Sequence, residues 1–152
     1  MSTNNKTGTF KSLFYTIGNP KEFSATTWKH FFIPFDHEKW IQDIAGGLVY
    51  KLPNGEEFSL LIEYYPKLGL TLSYEMTDVK NDDSFDTWIS VYDPKLKNQF
   101  VALETGSWQP EGSFLAPESA WCVVAAFLDN PTVLPECAQW MNAADLNWPE
   151  PL

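Results

Sequence analysis

The residues best suited to metal binding or nucleophilic attack are few in this chain. His30 and His37 are its two histidines, and Cys122 and Cys137 its two cysteines. There is no CxxC, no HExxH and no GxSxG. The ligand spacing of a zinc site and the elbow of a serine hydrolase are therefore both missing. The segment "DVKNDDSFD" carries Asp78, Asp82, Asp83 and Asp86, but it lacks the glycine and the closing glutamate of a calcium loop. His37, between Asp36 and Glu38, fits a solvated helix start better than a general base. Cys122 falls in an apolar helical pattern, and both cysteines read as reduced packing residues. Glycoside cleavage needs two carboxylates singled out by position, and nothing singles out two here. The expectation is a protein with no catalytic residues, no metal and no cofactor.

Charge says more than any motif. The chain has 152 residues and a formal net charge of −10. All ten basic residues are lysine, so the bidentate guanidinium clamp preferred for phosphates and carboxylates is missing. The first 51 residues hold six lysines against Glu22, Asp36, Glu38 and Asp43, and no lysine follows Lys97. A chain so acidic repels nucleic acid and speeds encounter with a basic partner. No apolar run approaches the roughly 18 residues of a membrane helix, and "MSTNNKTGTFKS" has no apolar signal core. A soluble cytoplasmic protein, with no nucleic-acid or membrane partner, is expected.

Residues 1–8 read as a disordered lead and 9–152 as a single domain. "TFKSLFYTI" predicts a strand, and "PKEFSATTWKHFFIPF" a short helix through Trp28 and Phe32. "DHEKWIQDIAGG" predicts a helix over 36–45, capped by Asp36 and ended by Gly46-Gly47. "LVYKL-PNGEE-FSLLIEYY" predicts a hairpin, with Asn54-Gly55 supplying positive φ angles. "LTLSYEM" alternates as a third strand. "TWISVYD" and "QFVALET" predict a second hairpin around "PKLKN". After the loop "GSWQPEGS", Pro117 opens a helix over 117–129, where its missing N–H costs nothing. Trp121, Val124, Ala125 and Leu128 recur at i, i+3, i+4, i+7, with Ala120, Val123 and Phe127 widening the stripe. "AQWM" closes the chain as a short strand. The predicted class is α+β: an antiparallel meander of five or six strands, one face covered by the C-terminal helix, with one or two N-terminal helices. Trp88, Tyr92, Trp108, Trp140 and Trp148 fall near loops or strand ends, where aromatics often anchor interfaces.

The tail "GSFLAPESA", "AWCVVAAFLDN", "PTVLPECA", "QWM" resembles the first-numbered immunity-protein family of bacterial polymorphic toxin systems, often encoded beside deaminase toxins. The residues that carry the resemblance are Pro117, Ala120, Ala125, Phe127, Leu128, Pro135 and Trp140. It covers the last thirty residues closely and the meander in outline. It implies a protein that binds and neutralises a toxin domain and has no catalytic residues. Nuclease and deaminase toxins carry basic grooves that a dense carboxylate surface could occupy.

On that implication the interface centres on Glu75, Asp78, Asp82, Asp83 and Asp86, flanked by Glu56 and Glu57. Trp108, with Glu104 and Glu111, is the second candidate patch. Two other classes stay open at this point: a small hydrolase or glycan-binding module using exposed aromatics, and an adaptor or chaperone of a secretion system.

Overall fold

A computed structural model describes residues 8–14, 22–42, 44–78 and 86–149. In chain order the strands are β1 (Thr9–Ser12), β2 (Ala45–Lys51), β3 (Glu56–Tyr65), β4 (Gly69–Asp78), β5 (Thr87–Val91), β6 (Phe100–Ala102), β7 (Trp108–Pro110), β8 (Phe114–Leu115) and β9 (Gln139–Asn142). The helices are α1 (Ala25–Trp28), α2 (His37–Ile41) and α3 (Pro117–Asp129). The protein is α+β. Its main sheet runs β1-β2-β3-β4-β5-β9, with β8 also beside β4, and every pairing is antiparallel. The sheet has seven strands: β1 is the strand expected from "TFKSLFYTI", and the short β8 beside β4 is the one not expected.

Alternation along the strands sorts residues to two faces. Leu60, Ile62 and Tyr64 of β3 stand beside Tyr74, Leu72 and Leu70 of β4, and all six are buried. This face is roofed by α3, α1 and the segment around α2. α3 follows its expected bounds and buries Ala120, Val123, Val124, Phe127 and Leu128. Trp121 sits at the edge of that stripe, 5.6 Å from the ring of Phe32. The N-terminal part of the roof is aromatic. Trp28 packs against Phe14, Phe23 and Phe31, and Trp40 against Phe14, Phe32, Phe35 and Tyr64. Trp28 and Trp40 are fully buried. Much of the aromatic excess therefore fills the roof.

Local signals explain most element ends. The Oδ1 atom of Asp36 accepts from the N–H groups of Glu38 and Lys39, at 3.1 and 3.4 Å, so α2 starts where expected. It ends at Ile41, and Gly46 and Gly47 lie within β2. They are needed for close approach rather than for stopping a helix. A Cβ on Gly47 would stand 2.5 Å from the Leu60 carbonyl oxygen. The β2–β3 turn forms as expected, although among the described residues only glycines have positive φ: Gly55 supplies it, at 98°, and Asn54 does not. Asn54 instead accepts from the Glu56 N–H.

The second predicted hairpin does not form. β6 pairs with β7, inside the segment expected to be a loop, as a separate two-stranded ribbon. The free edge of β5 is taken by β9. Buried hydroxyls fasten the chain between ribbon and helix. Ser90 Oγ donates to the Ser113 carbonyl at 2.7 Å and accepts from the Leu72 N–H at 3.1 Å. Thr71 and Ser113 share a hydrogen bond of 2.7 Å. Satisfied polar groups of this kind fix one arrangement, because their hydrogen bonds offset the cost of leaving water.

Phe127 is fully buried between roof and sheet, and Tyr92 is 76% exposed. Phe127→Ala should lower stability by about 3–5 kcal/mol, and Tyr92→Ala should stay within about 0.5 kcal/mol of the parent. Urea unfolding of the three proteins checks this.

Candidate functional site

The strand register divides the predicted interface residues into two groups. Glu56 and Asp78 are direct Cα partners at one end of β3 and β4. Glu57 stands opposite Thr77, and Glu75 between Ser59 and Thr87. Glu57 and Glu75 are thus diagonal neighbours on the face away from α3. Asp86, exposed, precedes Thr87 at the same end. Asp82 and Asp83 lie outside the described residues. This end is less purely acidic than the sequence suggested. Lys51 is the direct partner of Glu57 on β2. The Glu56 carboxylate accepts from Asn54 Nδ2 at 2.7 Å, so it also serves the turn.

Glu104, Trp108 and Glu111 sit on or beside the β6–β7 ribbon, at the opposite end of the sheet. Glu104 lines a cleft of about 140 Å³ with Ile41, Tyr64 and Tyr65. Glu111 lines another, of about 340 Å³, with Leu68, Tyr92 and Phe114. Glu57 and Tyr65 mark the two levels on β3, and at about 3.4 Å per residue they are roughly 27 Å apart. The eight described residues of the predicted set therefore do not form one site. Of the candidate anchor aromatics, Tyr92 and Trp148 are exposed, while Trp88 and Trp140 pack against the core cluster. Trp108 is half-buried.

Glu75 is the carboxylate whose surroundings stand out. It is half-buried, and burial alone raises its pKa above the ordinary glutamate range. No hydrogen bond or ion pair offsets that penalty among the described residues. Its neighbours across the sheet are Ser59 and Thr87. Water is partly excluded there, and among the described residues nothing neutralises the charge. Such groups mark places where an external ligand can supply the missing interaction.

Glu63, which sequence reasoning missed, is the opposite case. Its carboxylate accepts from Thr105 Oγ1 at 2.7 Å, from Ser107 Oγ at 2.9 Å and from Gln109 Nε2 at 2.7 Å. Three neutral donors on the ribbon converge on one acid of β3, so Glu63 is a structural clamp. Donors more than 40 positions away leave no local signature. The alternation Thr105, Ser107, Gln109 was the available signal, because it puts three donors on one side of a strand.

His37 also has a partner the sequence did not indicate. Its Nδ1 lies 2.6 Å from the Tyr64 hydroxyl. Burial raises the pKa of that phenol, which keeps it protonated and poor as a base. The cysteines depart from their expected packing role, since both are free and exposed. Among the described residues, no three His, Cys, Asp or Glu side chains are grouped to hold a metal ion, and no helix is long and apolar enough to cross a membrane. Comparison with protein-family models, curated proteins and solved structures returned no match.

Two outcomes follow for the two glutamates. Glu63→Ala removes the shared acceptor and should cost about 2 kcal/mol; amide exchange over residues 100–110 should accelerate more than over β3–β4. Glu75 holds its proton to higher pH in the folded than in the unfolded state, so its contribution to stability falls as pH rises through and above the ordinary glutamate range. Glu75→Gln should therefore raise the melting temperature at pH 7, with the gain shrinking towards pH 4. Thermal unfolding at a series of pH values checks the sign.

Proposed function

We propose that this chain is a cytoplasmic immunity protein that binds and neutralises a cognate bacterial toxin domain through an acidic surface. The observation that carries the proposal is Glu75, a half-buried carboxylate lacking a compensating partner among the described residues, on the sheet face away from α3. Glu57 stands diagonal to it on the same face. A lysine or arginine of a basic partner, placed over Glu75, would supply the interaction that no described residue gives it. In a partly water-free setting such a pairing is stronger than on an open surface. The net charge of −10 would draw a basic groove towards it and raise the association rate. The resemblance of the tail to immunity proteins supplies the class of partner. The ribbon end, with Glu104, Trp108 and Glu111, is a secondary contact region in this account. No feature of the site favours glycan binding, hydrolysis or chaperoning over inhibition.

The proposal carries a pH signature. Pairing with a cation favours ionised Glu75, so binding should strengthen as pH rises from the acid range and level off near neutrality.

The test begins with the neighbouring gene, which on this reading encodes a large secreted protein whose C-terminal domain is the toxin. Expressed alone, that domain should arrest growth, and co-expression of this chain should restore it. A toxin domain that binds the chain and still kills would overturn the inhibitory role. The variant Glu57→Gln/Glu75→Gln should associate several-fold more slowly at low salt, and the difference should narrow as ionic strength rises. Equal association rates for variant and parent at every salt concentration would remove this face from the interface.

A further inference from the structure

The last turn of α3 borders a cleft of about 570 Å³ between that helix, β1 and the start of α1. Its walls include Phe10, Phe23, Tyr50, Leu128, Asp129 and Pro131. Strand register brings the aromatic wall together. Phe10 of β1 is the direct Cα partner of Tyr50 on β2, and their rings lie 4.7 Å apart. Phe23, one position before the Ser24 cap of α1, stacks on Phe10 at 5.3 Å with the ring planes 13° apart. The Tyr50 hydroxyl accepts from the Gly8 N–H at 3.0 Å, which holds that ring in place. Phe10 and Phe23 are half-buried, so part of each ring stays open. Beyond the helix, the return path towards β9 passes Pro131, whose carbonyl accepts from the Tyr74 hydroxyl at 2.8 Å.

The cleft has one charged wall residue, Asp129. No hydrogen bond or ion pair holds its carboxylate among the described residues. Asp129 is also the last residue of a 13-residue helix, where the aligned peptide dipoles leave partial negative charge. A lysine or arginine would be stabilising at such an end, but the last turn of α3 carries no basic residue. A carboxylate and a helix C-terminus therefore meet an aromatic wall with no positive charge lining the cleft. Each of the three attracts a cation, the rings through their negative faces, and each disfavours an anion. We propose that this cleft binds a small organic cation, an ammonium group carried on an aromatic or aliphatic body. The ammonium lies against Asp129 and the carbonyl end of α3, and the body packs on Phe10, Phe23 and Leu128. The volume suits such a ligand, since small-molecule sites run roughly 300–1,000 Å³. The net charge of −10 favours the same sign of ligand at longer range. The cleft lies on the roofed side of the sheet, so it is separate from the face that carries Glu75.

The test titrates the full chain with three probes of similar shape: phenethylamine, the neutral phenethyl alcohol and the anion phenylacetate. Binding is read from amide chemical shifts near neutral pH. Phenethylamine should give saturable shifts at Phe10, Phe23 and residues 125–130, and should bind about fivefold more tightly than the alcohol at low ionic strength. That preference should shrink as salt rises. Phenylacetate should bind more weakly than the alcohol. Asp129 is exposed, so Asp129→Asn should keep the fold. It should bring the amine down to the affinity of the alcohol and leave the alcohol unchanged. Phe23→Ala should weaken both. Equal affinities of the parent chain for amine and alcohol, or an unchanged amine affinity in Asp129→Asn, would overturn the proposal. So would amine shifts centred on Glu57 and Glu75, or the lack of any saturable shift at Phe23.

Discussion

Ten consecutive residue pairs join β3 to β4, and this register assigns every side chain on the two strands to a face. A slip of β4 by one position against β3 would turn Leu70, Leu72 and Tyr74 outward and bring Thr71, Ser73 and Glu75 under the roof. The buried face then could not receive α3. Thr71 would lose its hydrogen bond to Ser113, and the Tyr74 hydroxyl could not reach Pro131. Roof, ribbon and return path all depend on one alignment, which a single tight turn at Pro66-Lys67-Leu68 helps to set.

How far the chain could be read depended on the range of each signal. α3 was legible to its exact bounds because its proline start, its stripe and the Asn130-Pro131 stop are all local. The β2–β3 hairpin and β4 were legible for the same reason. The pairing of β6 was not. "TWISVYD" and "QFVALET" look like hairpin partners in sequence, but β9, arriving from the far end of the chain, occupies the edge that β6 would need. Gly46-Gly47 misled because a glycine pair signals a helix end and a close strand approach equally well. The carboxylates were legible as a charge and not as a site. Their separation into two ends of the sheet follows from strand direction, and the distinction between Glu63 and Glu75 follows from donors that only the fold brings near.

The same contrast organises the surface. Glu63 is an acid fully provided for by its own fold, and it contributes architecture. Glu75 is an acid left short of partners among the described residues, and its cost makes it the better candidate for binding. A protein whose task is to recognise a basic partner gains by keeping some electrostatic demand unmet until that partner arrives. Aromatic side chains divide in a parallel way. Trp28 and Trp40 are committed to the roof, while Tyr92 and Trp148 remain at the surface.

The roof has two sources at opposite ends of the sequence, and this has a consequence for synthesis. The N-terminal portion, with Trp28 and Trp40, leaves the ribosome before the strands it covers. α3 leaves well after them, because 38 residues separate Asp78 from Pro117. At about 5–20 residues per second, half of the apolar face of β2–β4 waits roughly 2–8 s for its cover. During that interval the nascent chain presents an uncovered hydrophobic sheet, and its safe folding depends on what else in the cell can occupy that face.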